Sequence, residues 1–272
     1  MLKYFTWKKL VLAIIVILLV TYFSIRPSND RDWNLDQQVL PEISISGNQV
    51  NIKNIRHFTY STKDDYTPGY YDKTFDLTKL KNVYYMVEPF SGHGAGAAHT
   101  LLSFEFEQNN FVAISVEIRK EIGETFSPWK GLLKQYELMY VIGDERDLLK
   151  LRSNYRHDQV YLYPMKGSIE KKRALFLDML ARAQKLQTEP EFYNTLSNTC
   201  TTNLVAHLNK ISPNKVPFSL KVLMPAYSGE LAYDLGLIDT NLTFFEAQQK
   251  YLINDRALKY ANDPNWSIRI RE

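Results

Sequence analysis

The apolar run from Leu10 to Phe23, interrupted only by Thr21 and preceded by Lys3, Lys8 and Lys9, constrains the rest of the chain most. It decides on which side of a membrane the remaining residues fold. A spanning helix needs about 20 apolar residues, and including Phe5, Thr6 and Trp7 at one end and Ile25 at the other makes a span possible. The rival is a cleaved secretory signal, whose apolar region of about 7 to 15 residues ends at a small-residue cleavage site. Here Phe23-Ser24-Ile25-Arg26-Pro27 follows, with no such site, so residues 10–25 read as an uncleaved transmembrane anchor. With no cysteine near the run, a lipoprotein anchor is excluded. Three lysines before the run against one Arg after it put residues 1–9 in the cytoplasm. The expected location is therefore the inner (cytoplasmic) membrane, with the bulk of the chain in the periplasm.

Residues 26–41 are polar and of mixed charge, and read as a linker. Residues 42–272 are long enough for one large domain with its own core. The 33 basic and 30 acidic residues are spread evenly, so nucleic acid has no electrostatic footprint to bind. The 18 Tyr and 14 Phe, many of the tyrosines in strand-like runs, point to a large half-buried sheet, with an amphipathic surface resting on a membrane interface as the alternative.

Ser44 to Lys53 alternates around Gly47-Asn48 and reads as a hairpin. Tyr60 to Tyr71 is loop-like, Val83 to Val87 is a short strand, and Ser91 to Gly96 is a Gly-rich loop. Leu102, Phe104 and Phe106 alternate with polar residues up to Gln108-Asn109-Asn110, and Val112, Ile114, Val116 and Ile118 alternate beyond it. Two period-2 runs around a short polar turn predict a second hairpin. Ser127-Pro128 is a helix start, and Tyr136–Ile142 and Val160–Tyr163 read as strands. Ile169 to Leu186 carries Leu175, Phe176, Met179, Leu180, Ala183 and Leu186 on one helical stripe. Leu204, Val205, Leu208 and Ile211 have helical spacing too. The fold class is α+β: an antiparallel sheet with packed helices, plus one N-terminal transmembrane helix.

Cys200 is the only cysteine, so no internal disulfide can form. A lone cysteine is most often a small buried hydrophobe. The surrounding Ser197-Asn198-Thr199-Cys200-Thr201-Thr202 is polar, however, and directly precedes the stripe beginning at Leu204. With Asn198 or Thr199 as N-cap, Cys200 falls in the first helical turn. There the dipole and unpaired N–H groups favour a thiolate and can hold an oxyanion.

A nucleophilic thiolate needs an imidazole to take and return protons. His57 and His157 sit among charged loop residues, His207 is about 10 Å along the helix from Cys200, and His93 lies in the Gly-rich loop. His99 enters the hairpin at its first position and is the favoured base, against the plainer reading of a satisfied histidine at a strand start. If Asn109 centres the turn, Glu117 opposes Leu101 and lies diagonal to His99 on the same face, about 7–8 Å away between backbones. It could orient the imidazole, with Arg119 opposite His99 as the competing neighbour. A one-residue slip would remove Glu117 from that face.

A strand histidine followed about a hundred residues later by a cysteine at a helix start reverses papain's order. It resembles the circularly permuted papain-like fold of the NlpC-type peptidases and lecithin retinol acyltransferase. More closely, the chain resembles the bacterial family named for the N-terminal periplasmic domain of the Lnb lipoprotein N-acyltransferases. The resemblance is carried by His99-Thr100-Leu101-Leu102-Ser103-Phe104, Gly123-Glu124-Thr125 with Ser127-Pro128, and Tyr136-Glu137-Leu138. It continues through Val141-Ile142-Gly143-Asp144-Glu145-Arg146-Asp147, Phe192-Tyr193-Asn194-Thr195 and Asn198-Thr199-Cys200-Thr201-Thr202-Asn203, spanning nearly all of residues 33 to 240. It implies Cys200 and His99 as the catalytic pair. The Lnb-type acyltransferases carry further membrane-embedded segments, whereas no second apolar run precedes Glu272 here, so the resemblance speaks to fold and nucleophile more than to substrate.

These readings imply a thiol acyltransferase: Cys200 takes an acyl chain from a membrane phospholipid and passes it to an amine such as a lipoprotein N-terminus. A cysteine amidase or peptidase acting on cell-wall peptide would use the same pair with water as acceptor. A non-catalytic periplasmic binding or scaffold domain would keep the cysteine as structure. No metal-ligand spacing is present, and Gly92-His93-Gly94-Ala95-Gly96 lacks the marks of a P-loop or dinucleotide site, so no cofactor is expected. The protein should stay in the membrane fraction after lysis until detergent is added. Recovery of a soluble form starting near Arg26 would establish a cleaved signal instead.

Overall fold

The computed structural model describes residues 2–90 and 96–272, with the side chains of residues 2–5 left aside. It opens with helix α1 (Leu2–Ser24); its Thr6–Ser24 stretch has a mean hydropathy of 1.9 and no buried residue, and is long and apolar enough to cross a membrane. The first strands are β1 (Glu42–Ser46), β2 (Gln49–Arg56), β3 (Thr59–Tyr60), β4 (Tyr66–Thr67) and β5 (Tyr70–Asp76). Next come β6 (Leu80–Pro89), β7 (Ala98–Phe106), β8 (Asn110–Arg119), α2 (Pro128–Leu132), β9 (Glu137–Gly143) and α3 (Glu145–Lys150). A π-helical turn (Leu151–Tyr155), β10 (Tyr161–Pro164), α4 (Ile169–Thr188) and α5 (Cys200–Ile211) complete the central part. Short helices α6 (Leu220–Leu223), α7 (Ser228–Asp234), α8 (Phe244–Tyr251), α9 (Asn254–Lys259) and α10 (Trp266–Arg269) follow, which sequence patterning did not reveal.

Eight strands form one sheet in the order β1-β2-β9-β8-β7-β6-β10, with β5 paired to β2. Pairing is antiparallel except for one parallel bridge, Arg56 to Gly143. The central strands are covered on both faces, every residue of β9 being buried, whereas β1 and β5 at the edge keep exposed residues, so the half-buried sheet expected from the tyrosines describes that edge only. On one face the α4 stripe packs inward, Phe176 lying 4.8 Å from Phe104 and 5.4 Å from Phe106 between ring centroids. On the other, Met86, Leu101, Met139 and Val141 meet Leu148, Trp266 and Ile270.

Three further expectations change. The stretch 60–71 is not a plain loop, because β3 and β4 pair and Tyr60 and Tyr66 join a small aromatic cluster with Phe58. The segment 26–41, expected as a linker, lies along the domain. Trp33 is buried beneath the Arg119 guanidinium, 4.2 Å from its ring, and the Gln37 and Gln38 carbonyls accept from Arg119. Thirdly, the central hairpin turns one residue earlier than expected. Gln108 and Asn109 both have positive φ, 58° and 59°, and residues 107–109 form the loop between the paired Phe106 and Asn110. Leu101 therefore faces Ser115 and not Glu117. Moving the centre by one residue moves each partner by two, so the side chains keep their face.

One buried ion pair ties β2 to α3. Arg56 grips Asp147 bidentately at 2.9 and 2.8 Å, and Asp147 also accepts from the Phe58 N–H and the Tyr60 hydroxyl. Asp147→Ala leaves Arg56 buried without its charge partner, and such losses cost about 3–5 kcal/mol. Urea unfolding of the detergent-solubilised protein should show that loss, and a change below about 1 kcal/mol would mean the pair behaves as a surface contact.

Candidate active site

His99 is the second residue of β7, at the end of the sheet, and its side chain is buried. Two steps beyond the Leu101–Ser115 pair, the hairpin register sets Glu117 directly across from it. His99 Nε2 lies 2.7 Å from Ser115 Oγ and 3.1 Å from Glu117 Oε1, and Ser115 Oγ donates to Glu117 Oε1 at 2.6 Å. The diagonal placement is thus replaced by a closer one. Arg119, expected opposite His99, is turned toward Gln37, Gln38 and Asn29 instead.

Cys200 is the first residue of α5. Thr199 is the N-cap: its hydroxyl accepts from the Thr202 N–H while the Thr202 side chain returns a bond to the Thr199 N–H, a full capping box. Asn203 Nδ2 donates to the Thr199 carbonyl and to Asn198 Oδ1, both at 2.8 Å, and the Thr100 and Thr201 hydroxyls meet at 3.1 Å. The motif 198–203 therefore builds the helix start and pins it to β7. Cys200 and His99 line the same cavity, and each shifts the other's titration.

Electrostatics follow from these contacts. Burial pushes the Cys200 thiol up, but the His99 hydrogen bond and charge, with help from Thr100 and Thr201, lower it to about 7. Burial, the largest influence, works against a charged His99, yet the charge and hydrogen bond of Glu117 together with Cys200 raise the imidazole to about 9. Glu117 also resists burial: His99, Arg152 and Ser115 hold it well below the usual carboxylate range. Near neutral pH the pair is poised as thiolate and imidazolium.

Arg152 is one residue that sequence reasoning missed, with Ser115 and Glu88 beside it. It lies on the π-helical turn and donates to Glu117 at 2.9 Å, to Glu88 at 2.6 Å and to the Leu148 carbonyl at 2.6 Å. Glu88 is wholly buried on β6, directly across from His99. No local pattern marks Arg152, because π-helical turns have no sequence signature, although such turns often sit at functional sites. Cys200, His99, Glu117 and Arg152 share one cavity of about 360 Å³, which Phe126, Tyr193 and Arg156 also line.

His57 and His157 are exposed, and His93 lies outside the described residues. His207 is buried in a separate hydrogen-bond chain, Nδ1 at 2.6 Å from Asp178 and Nε2 at 2.7 Å from the Tyr140 hydroxyl. The hollow beside it is larger, about 420 Å³. The Cys200 cavity is the better candidate, because it joins a helix-start thiol to a buried imidazole.

The family profile described as the Lnb N-terminal periplasmic domain matches residues 66–226, a span that contains His99, Glu117, Arg152 and Cys200. No curated protein and no solved structure matches the chain.

Iodoacetamide labelling of Cys200 should rise with a midpoint near pH 7, below the 9.0 of an ordinary thiol. Glu117→Gln removes the charge that keeps His99 protonated, so the midpoint should move up. A wild-type midpoint at or above about 8.5 would make Cys200 an inert structural thiol.

Proposed function

The chain belongs to the Lnb N-terminal periplasmic domain family, and on that premise we propose that it is a membrane-anchored thiol acyltransferase working in the periplasm. The inner membrane is the proposed site, α1 the anchor and residues 42–272 the catalytic domain. One arrangement carries the reading: a helix-start thiol and a buried strand imidazole line one cavity, with Glu117 3.1 Å behind the imidazole. A cysteine that served only to fill space would need neither the capped helix start nor the buried charges behind His99. The order of strand histidine and then helix cysteine supports a permuted papain-like fold.

In the proposed reaction the Cys200 thiolate attacks the ester carbonyl of a phospholipid. A carbon–sulfur bond forms, the ester carbon–oxygen bond breaks, and His99 gives its proton to the departing hydroxyl of the lysophospholipid. An amine, such as a lipoprotein N-terminus, then attacks the thioester. The carbon–nitrogen bond forms, sulfur leaves as thiolate, and His99 takes the proton lost by the amine. The N–H groups of Cys200 and Thr201, which have no intrahelical partner in the first turn, are suited to hold the oxyanion in both steps. Glu117 keeps the imidazole charged and oriented, and Arg152 keeps Glu117 in place.

Mass spectrometry of the protein purified from membranes should find a long-chain acyl adduct on Cys200. Cys200→Ala and His99→Ala should each abolish transfer, and the double variant should be no worse than either single one. Glu117→Gln should keep partial activity. A protein that forms the adduct but releases free acid even with amine acceptors present is a hydrolase. A Cys200 that is never acylated, in a protein whose thermal unfolding is normal, leaves the binding or scaffold reading.

A further inference from the structure

Between β8 and β9 the chain leaves the sheet, and this excursion exposes Ile122, Phe126, Trp129 and Leu133, from 45% to 75% of each residue's surface. Single exposed apolar residues are ordinary, but a cluster calls for a partner. The excursion is also held in shape. The Tyr136 hydroxyl accepts from the Ser127 N–H at 2.9 Å and donates to the Thr125 carbonyl at 2.6 Å. Phe126 stacks on the Tyr136 ring, and the Thr195 hydroxyl donates to the Pro128 carbonyl at 2.7 Å. The apolar side chains are therefore held outward by a built scaffold.

The end of α1 rests on this same excursion. The Tyr22 hydroxyl donates to the Leu132 carbonyl at 3.2 Å, and Lys134 Nζ donates to the Tyr22 carbonyl at 3.1 Å while lying 4.5 Å from the Tyr22 ring centroid. An apolar helix that enters a bilayer thus leaves it within a few residues of Leu133. We propose that residues 122–133 are seated in the membrane interface, with the lipid bilayer surface as their partner. A tryptophan such as Trp129 favours that boundary, and Lys130 and Lys134 flank the apolar side chains as cations suited to anionic headgroups. Phe126 belongs both to this face and to the wall of the Cys200 cavity, so seating the face brings the cavity to the lipid surface. The proposal rests on α1 spanning the membrane and is independent of the reaction at Cys200.

The test uses the full chain with Cys200→Ser, reconstituted in vesicles of phosphatidylethanolamine and phosphatidylglycerol. A polarity-sensitive dye is attached through Ile122→Cys, Trp129→Cys or Leu133→Cys. Glu107→Cys, in the turn between β7 and β8 at the far end of the sheet and about 30 Å away by strand rise, is the control. The three sites should show blue-shifted emission and lose intensity with brominated lipid, while the label at position 107 does neither. If all four positions report water, the face stands clear of the bilayer and the proposal falls. It falls equally if shielding disappears when the protein is diluted within the vesicles, since a second copy of the chain would then be the partner.

Discussion

Arg152, buried between two carboxyl groups, is the contact on which the arrangement of the site depends. Glu88 comes from β6, Glu117 from β8, and Arg152 itself from the π-helical turn, so one guanidinium gathers three elements. Isolating such groups from water costs several kcal/mol each unless partners are well placed. A chain of contacts runs from Glu88 through Arg152 and Glu117 to His99, which shares its cavity with Cys200. The chain also sets the chemistry. Arg152 disfavours a charged His99 while Glu117 favours it more strongly, and the result is an imidazole that titrates above the thiol beside it. The same contacts that stabilise the sheet end therefore decide the protonation state of the nucleophile.

The legible parts of the fold are those with a local cause. The α4 stripe can be read because six apolar residues recur at helical spacing, and all six are buried. Cys200 can be placed at a helix start because a polar run with an N-cap residue, Asn198 or Thr199, stands just before the apolar stripe from Leu204, and the structure shows Thr199 in that role. His99 and Glu117 can be assigned to one face because a strand alternates with period two, and a turn displaced by one residue preserves that face. What escaped depends on tertiary context. Arg152 acts through a π-helical turn, and Ser115 looks like any small strand residue until Glu117 and His99 flank it. The C-terminal helices are too short to show a period. The stretch 26–41 is polar, but its backbone carbonyls and Trp33 answer the needs of Arg119, a relation between residues 80 or more positions apart.

Direction matters as much as contact. The β7–β8 turn lies at one end of the sheet; at the other lie His99, Glu117, the start of α5 and the end of α1. Strand β8 runs from the first end to the second, and its length separates a polar turn from the site. A shift of two residues in the hairpin moved Glu117 from a diagonal to a direct neighbour of His99 without turning any core residue outward.

Arg271 carries a different kind of consequence. It pairs with Glu145, whose side chain is wholly buried, and Ser103 donates to the same carboxylate. Until residue 271 arrives, the sheet face around Glu145 holds a carboxylate without its cation. A nascent chain that had emerged only through β9 and α3 could therefore collapse, but it would carry an uncompensated charge in its core. The link joins residues 126 positions apart, which raises the contact order and slows folding. The domain should thus close as a unit after export of residue 271, and remain dependent on chaperones and open to proteases before then.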